Sequence, residues 1–245
     1  MNTSVQIALV TGCSRSEGLG FEVCKQFGEL GFTVLLTARN ASKAETLAAM
    51  LRDQGLDVDG HALDIAHDES IQTLVSIIAE RYGRLDILIN NATGSTKSPD
   101  PVSTADLEAA RQIVDVTLIG NWRLIQGTLP LLRKSAAARI VNVSSSAGLH
   151  GDPVLGLTKK WTGRPAYGIA KAALNALTAK FAVELRGTDI KINAVCPGFT
   201  ATHSGMADLG ARSVAEGAKG IVWAATLDDD GPSGGFYRDN KLQAW

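Results

Sequence analysis

Short β-branched runs alternate with longer stretches of helical period along nearly the whole chain, and this alternation constrains the fold more than any other feature of the sequence. VQIALV reads as a strand and GLGFEVCKQFGEL as a helix. FTVLLTA, ASKAETLAAMLRDQG and VDGHAL continue as strand, helix and strand, followed by DESIQTLVSIIAERYG as helix and DILIN as strand. ADLEAARQIVDVTLIGNWRLIQGTLPLLRKS reads as two abutting helices, and RIVNVSS as a strand. The helix around AYGIAK, the strand KINAVC and a last helix around SVAEGAKGIVWAATL complete the series. Such an order means a parallel sheet, because each crossover returns the chain to the sheet's starting edge with a helix laid against one face. The strand cores ALV, VLL, ILI and IVNV are apolar at consecutive positions, as expected when both faces are covered. The expected class is therefore α/β, a doubly wound and mostly parallel sheet with helices on both faces. At 245 residues and 45% hydrophobic, the chain supports one core, hence a single domain over 1–245.

Charge narrows the function classes. The chain carries 24 Lys and Arg against 25 Asp and Glu, with no block of like sign, which argues against a nucleic-acid footprint or a basic membrane patch. A small-molecule partner fits better. Cys13, Cys24 and Cys196 are odd in number and share no CxxC spacing. They read as buried thiols of a reducing compartment rather than a disulfide framework or zinc cluster. His61, His67, His150 and His203 are scattered without ligand spacing, so no metal is expected, although His150 and His203 fall in loops that could face a ligand. The N-terminus lacks a basic region before its short apolar run, and no stretch approaches the roughly 18 apolar residues of a membrane span. A soluble, cytoplasmic protein is expected.

In doubly wound sheets ligands settle beyond the carboxyl ends of the strands, and every motif of interest here falls at such an end. TGCSRSEGLG follows the first strand and opens the first helix. Gly12 lets the chain turn sharply. Gly18 and Gly20, with Leu19 between them, let backbone approach a pyrophosphate and let helix pack on sheet, and the helix N-terminus favours negative charge. A plain strand-to-helix turn would use glycines as well. Nineteen residues after Gly20 stands Arg39, where an NAD-binding sheet usually carries an acid for the ribose hydroxyls, and Arg15 lies in the glycine loop. An arginine at that place can pair with a 2′-phosphate, which favours NADPH over NADH. Solvated loop charge is the other reading of both arginines.

The segment RPAYGIAKAALNALTAKFAVEL reads as a small-residue helix that carries Tyr167 and Lys171 four residues apart. Four residues is a little over one turn, so phenol and ammonium emerge one above the other, close enough for the cation to act on the hydroxyl. They form a candidate acid and the group that tunes it. An ordinary surface pair would have the same spacing.

Taken in order, the elements are a TG glycine loop, Asp64 closing the third strand in ALDI, NNA closing the fourth, a serine cluster closing the fifth, YxxxK, and PGFTAT after the sixth. In this conjunction the chain resembles the short-chain dehydrogenase/reductase family over essentially its whole length. Within that family it is most similar to the NADPH-dependent carbonyl reductase branch that includes menthone and salutaridine reductases. GFEVCKQF, TAR, CPGFTAT and the tail EGAKGIVWAATLDDDGPSGGFYRDNKLQAW point to that branch. The resemblance implies a Rossmann-type fold and an NADP-dependent oxidoreductase acting on C=O and CH–OH groups. Ser145, the serine of NVSSSAG followed by two residues and a glycine, matches the family's catalytic serine, Tyr167 its acid and Lys171 its lysine. By the same resemblance Asn91 and Ala92 should line the cofactor, Asp64 and Ile65 should meet the adenine, and Pro197, Gly198, Thr200 and Thr202 should border the nicotinamide.

Three departures from the family pattern matter. Five residues separate Gly12 from Gly18 where the family usually has three, which shifts phosphate contacts towards Ser14, Arg15 and Ser16. NNAG reads NNAT, with Gly94 one place later. In DVTLIG, Thr117 stands where the family has an asparagine that helps hold a water linking the lysine to solvent. A threonine hydroxyl can donate and accept but is shorter, so Thr117 is a catalytic candidate with an altered reach.

Reduction of a ketone or aldehyde needs a hydride at carbon, which NADPH supplies, and a proton at oxygen. A free tyrosine has a pKa of about 10, and the Lys171 ammonium, helped by the charge of the oxidised nicotinamide, favours the phenolate. Tyr167 would then serve as acid in reduction and base in oxidation, with Ser145 hydrogen-bonded to the substrate oxygen. Lys171 is also expected to bond the nicotinamide ribose. Substrate walls are expected in loops near 93–103, 148–165 and 198–213. Leu155, Trp161, Phe199 and Met206 favour an apolar carbonyl compound, whereas Lys160 or Arg164 leaves a carboxylated one open. Monomer or homo-oligomer is undecided at this level. Two other readings stay open: reduction of an imine or biosynthetic intermediate on the same scaffold, and a non-enzymatic NADPH sensor, which would need the cofactor end but not Ser145, Tyr167 and Lys171.

Overall fold

Alternate residues of the central strands are buried in opposite cores. In β1 (Ile7–Val10), Ala8 and Val10 pack into one cluster while Ile7 and Leu9 pack into the other. In β4 (Ile87–Asn90), Ile87 and Ile89 take the first side and Leu88 the second. This is the period-2 geometry of a strand whose two faces are both covered. The structure, a computed structural model, describes residues 5–94, 101–159 and 165–244. Lys160, Trp161 and Arg164 lie outside the described residues, as does the stretch 95–100 of the first expected substrate loop.

The remaining strands are β2 (Thr33–Ala38), β3 (Val58–Ala62), β5 (Arg139–Val143), β6 (Lys191–Cys196), β7 (Phe236–Arg238) and β8 (Lys241–Leu242). They form one sheet in the order β3-β2-β1-β4-β5-β6-β7-β8, parallel throughout except for the antiparallel β7–β8 pair. Helices α1 (Leu19–Glu29), α2 (Ala41–Arg52) and α7 (Val214–Ala225) supply apolar residues to the first core. The second core is covered by α3 (Asp68–Arg81), α5 (Asn121–Leu132) and α6 (Pro165–Glu184). The fold is the expected Rossmann-type α/β domain, and its strand order reverses at the parallel β1–β4 pair, the switch point where such sheets bind ligands. Among the described residues no helix is long and apolar enough to cross a membrane.

Local chemistry explains several boundaries. Asn40 caps α2 by accepting from the Lys43 N–H at 2.9 Å. Ser213 and Glu216 form a reciprocal capping box at α7. Pro165 opens α6, at a position where its missing N–H costs nothing. The long helical stretch divides, as expected, into α4 (Leu107–Val114) and α5, but the two are joined by a π-helical turn over Asp115–Gly120. The terminal hairpin β7–β8 was not among the expected strands. It closes through Asp239 and Asn240, with φ of 53° and 59°, the left-handed pair of the tightest hairpin turn. Strands of three and two residues are too short to show a period.

Candidate active site

The ends of β1 and β4 touch. Gly12 has φ of 74°, and a methyl group on it would lie 2.8 Å from Ala92 Cα. Thr11, buried beside it, accepts at its hydroxyl from the N–H groups of Asn91 and Ala92 at 3.0 and 2.9 Å. Asn91 answers by donating its side-chain amide to the Thr11 carbonyl at 2.7 Å. Thr11 had no role in the sequence reading, although the TG pair contains it. Gly20 presses α1 on this junction: a methyl there would lie 2.7 Å from Asn91 Nδ2 and 3.0 Å from Cys13 Sγ. Cys13, Cys24 and Cys196 are buried thiols, as expected.

The Gly18 N–H closes the loop on the Arg15 carbonyl at 3.1 Å, and Gly18, the N-cap of α1, has no side chain to cap it. The first-turn N–H groups are thus left for an anion. Ser16 donates to the exposed Glu17 at 2.7 Å, which holds that carboxyl below its usual range. Ser14 is exposed and Arg15 half-buried. Arg39 is exposed, with no ion-pair partner among the described residues. An uncapped helix start, glycines that admit close backbone approach and an uncompensated cation after β2 fit a dinucleotide carrying a 2′-phosphate. After β3, Asp64 accepts from the Ala66 N–H at 3.0 Å and pairs with His67 at 3.3 Å. Ile65 is buried against Gly120, where a methyl would lie 2.8 Å from its Cγ1.

Tyr167 and Lys171 lie on one face of α6, with Lys171 Nζ 5.6 Å from the centroid of the Tyr167 ring. Tyr167 is half-buried and Lys171 fully buried. The Lys171 ammonium donates to the Val143 carbonyl at 2.7 Å. Burial brings its pKa from 10.5 down to about 7, against the opposing influence of Cys196.

The serine cluster meets this helix through two glycines. A methyl on Gly148 would lie 2.6 Å from the Ala172 nitrogen, and one on Gly168 would lie 2.9 Å from the Ala147 oxygen. The 3-10 turn Ser146–Gly148 thus rests directly on the Tyr167–Lys171 segment. Ser145 opens that turn, its hydroxyl accepting from the Ala147 N–H at 3.2 Å. Its neighbours serve the scaffold. Ser144 donates to Asn175 at 2.5 Å, and the Ser146 hydroxyl lies 3.4 Å from Cys196 Sγ.

Thr117 sits fully buried in the π-helical turn. Its hydroxyl accepts from the Gly94 N–H at 3.1 Å and shares a bond with Thr93 at 3.0 Å, while its carbonyl accepts from the Asn121 amide at 2.8 Å. Thr117 therefore holds the NNAT loop. Asn121, which the sequence reading did not single out, also donates to the Ala92 carbonyl at 3.3 Å, and its own Oδ1 is buried without a partner among the described residues.

Beyond β6, Thr200 is buried and donates to the Pro197 carbonyl at 3.0 Å, which folds the chain around Gly198. Thr202 is half-buried beside His203, their side chains 3.2 Å apart. His150 and His203 are exposed. A cavity of about 380 Å³ bordered by Val183, Arg186 and Ile190 lies at the amino end of β6, away from all of these residues.

The chain is similar to known proteins in sequence and in fold. The family model for short chain dehydrogenase matches residues 6–210. A (+)-neomenthol dehydrogenase of Capsicum annuum is 30% identical, with 96% of this chain and 96% of that relative covered. NADPH carbonyl reductase 1 of Sus scrofa is 29% identical, with coverage of 100% and 96%. A solved metagenomic short-chain oxidoreductase in complex with NADP is 28% identical, with a TM-score of 0.77 and coverage of 95% and 96%.

Proposed function

Because this chain belongs to the short-chain dehydrogenase family, we propose that it reduces a ketone or aldehyde to the alcohol with NADPH, Tyr167 giving the proton. The observation that carries this reading is the buried Lys171 set 5.6 Å from the ring of Tyr167.

The chain is an oxidoreductase of that family, and the NADPH and NADP named for the porcine relative and the metagenomic neighbour support its cofactor. Gly12, Gly18, Leu19 and Gly20 would take the pyrophosphate at the start of α1, with Ser14, Arg15 and Ser16 around it. Arg39 would meet the 2′-phosphate, Asp64 and Ile65 the adenine, and Asn91 and Ala92 the ribose side. Pro197, Gly198, Thr200 and Thr202 would border the nicotinamide. When bound, NADPH supplies the hydride.

The residues of the chain do the rest. Ser145 donates a hydrogen bond to the carbonyl oxygen, and the Tyr167 hydroxyl passes its proton to that oxygen as negative charge develops there. Lys171 in its protonated form stabilises the phenolate left behind. Thr117 enters as a positioning residue that keeps Thr93 and Gly94 in place. Leu155, half-buried, and Phe199, 37% exposed, would give the pocket an apolar wall suited to a hydrophobic carbonyl compound.

The test is NADPH absorbance decay with a panel of aldehydes, aryl ketones and cyclic imines. Consumption with carbonyl compounds is the expected result. Consumption with imines alone would move the activity to C=N reduction, and NADPH binding without consumption would leave a sensor.

A further inference from the structure

The terminal hairpin arrives at the carboxyl end of the sheet, because β7 runs parallel to β6 and ends at Arg238. Two consecutive residues there reach into two different loops. Arg238 Nη1 donates to Asp152 Oδ2 and to Ser146 Oγ, both at 2.9 Å. Asp152 is buried, and its other oxygen accepts from the Val154 and Leu155 N–H groups at 3.0 and 2.8 Å. This carboxylate is therefore the knot of the loop that follows Ser145. Asp239 forms a two-point ion pair with Arg212, the longer arm being 3.3 Å. The Arg212 guanidinium lies against Gly198, where a methyl would fall 2.7 Å from Cζ. The Arg212 backbone bonds Phe199 and Ala201, each at 2.9 Å, so the loop after β6 closes on it.

We propose that this hairpin is a positioning latch for the active site. Arg238, through Asp152 and Ser146, holds the turn that presents Ser145. Asp239, through Arg212, holds the loop 198–212 that borders the substrate. The proposal rests on the substrate-activating role given to Ser145 above. Arg238, Asp152, Arg212 and Asp239 are positioning residues, since the bonds they make run to one another and to the loops that carry the site. The two arms differ in strength. Losing Arg238 leaves a buried carboxylate without its cation, whereas the Arg212–Asp239 pair is partly exposed and partly screened.

The experiment compares Arg238→Gln, Arg238→Lys and Asp239→Asn in the full chain. It reads NADPH affinity, the kcat and KM of the best carbonyl from the panel, and hydrogen exchange in the loops 149–157 and 198–212. Arg238→Gln is expected to lower kcat by about 10- to 100-fold with NADPH affinity within about twofold, the loss typical of a misplaced catalytic group. Arg238→Lys, whose ammonium can serve the same two acceptors, should recover most of it. Asp239→Asn should raise the carbonyl KM by about threefold to tenfold with a smaller change in kcat. Exchange should quicken in 149–157 for Arg238→Gln and in 198–212 for Asp239→Asn, each without the other. Should Arg238→Gln not fold, Asp152→Asn, which keeps an acceptor for the loop N–H groups, takes its place. Unchanged exchange, uniform loosening of both loops, or selective loosening with unchanged kcat and KM would overturn the proposal. If the unaltered protein reduces no carbonyl, that reading of its function fails while the exchange patterns still decide the latch.

Discussion

Lys171 donates its ammonium to the main-chain carbonyl of Val143 at 2.7 Å, which fastens the cation of α6 to the last residue of β5, immediately before the serine cluster. One carbonyl is a meagre replacement for the water a lysine loses on burial, and the pKa near 7 follows from that. The site thus keeps a poorly solvated cation where a phenolate would need one.

That arrangement has a cost in stability. The folded pKa of about 7 lies below the ordinary 10.5, so between these values the unfolded chain binds the extra proton and stability rises with pH. The destabilisation is fully present below about pH 7. Lys171→Met should therefore raise the melting temperature of the cofactor-free protein most below about pH 7, with the gain shrinking towards about pH 10, while activity is lost throughout. Thermal unfolding of both proteins across this range checks the sign.

Tyr167→Phe removes the proton donor and keeps the ring beside Lys171. Turnover should fall by about 10²- to 10⁴-fold, the usual worth of a general acid, with NADPH affinity nearly unchanged. Retained turnover in single-turnover kinetics would remove Tyr167 from the chemistry.

Arg39 stands exposed after β2 with no ion-pair partner among the described residues. Arg39→Asp should weaken NADPH by about 10- to 100-fold, the scale of a lost charge-assisted pair, and NADH far less. Titration of both cofactors decides it, and equal losses would make Arg39 a solvated charge.

Gly148 has no room for a side chain, since a methyl would lie 2.7 Å from the Lys171 carbonyl carbon. Gly148→Ala should cost about 1–3 kcal/mol of stability as turn and helix part. It should lower kcat more than it raises KM, because Ser145 and Tyr167 stand on the two sides of that contact. Chemical denaturation and steady-state kinetics measure the two effects.

Much of the fold and the outline of the candidate site were legible in the sequence. The strand cores and helix periods announced the layers; the glycine loop, Asn91 and Ser145 follow the ends of β1, β4 and β5, and the Tyr167–Lys171 pair shares one face of α6. Thr11 and Asn121 went unread because each does its work through backbone groups of another segment, Thr11 through N–H groups 80 and 81 positions away. The terminal hairpin hid for a different reason: its strands, of three and two residues, are too short to repeat a period.

The order of elements, the two buried faces and the four-residue spacing on α6 are properties of neighbouring residues, so the sequence by itself determined them. The charge of Lys171, the commitment of Thr117 to the NNAT loop and the tie between Arg238 and Asp152, 86 residues apart, depend on which distant groups share a buried volume. Only the tertiary structure decided these, because solvation and hydrogen-bond partners are set by proximity in space, which local periodicity does not encode.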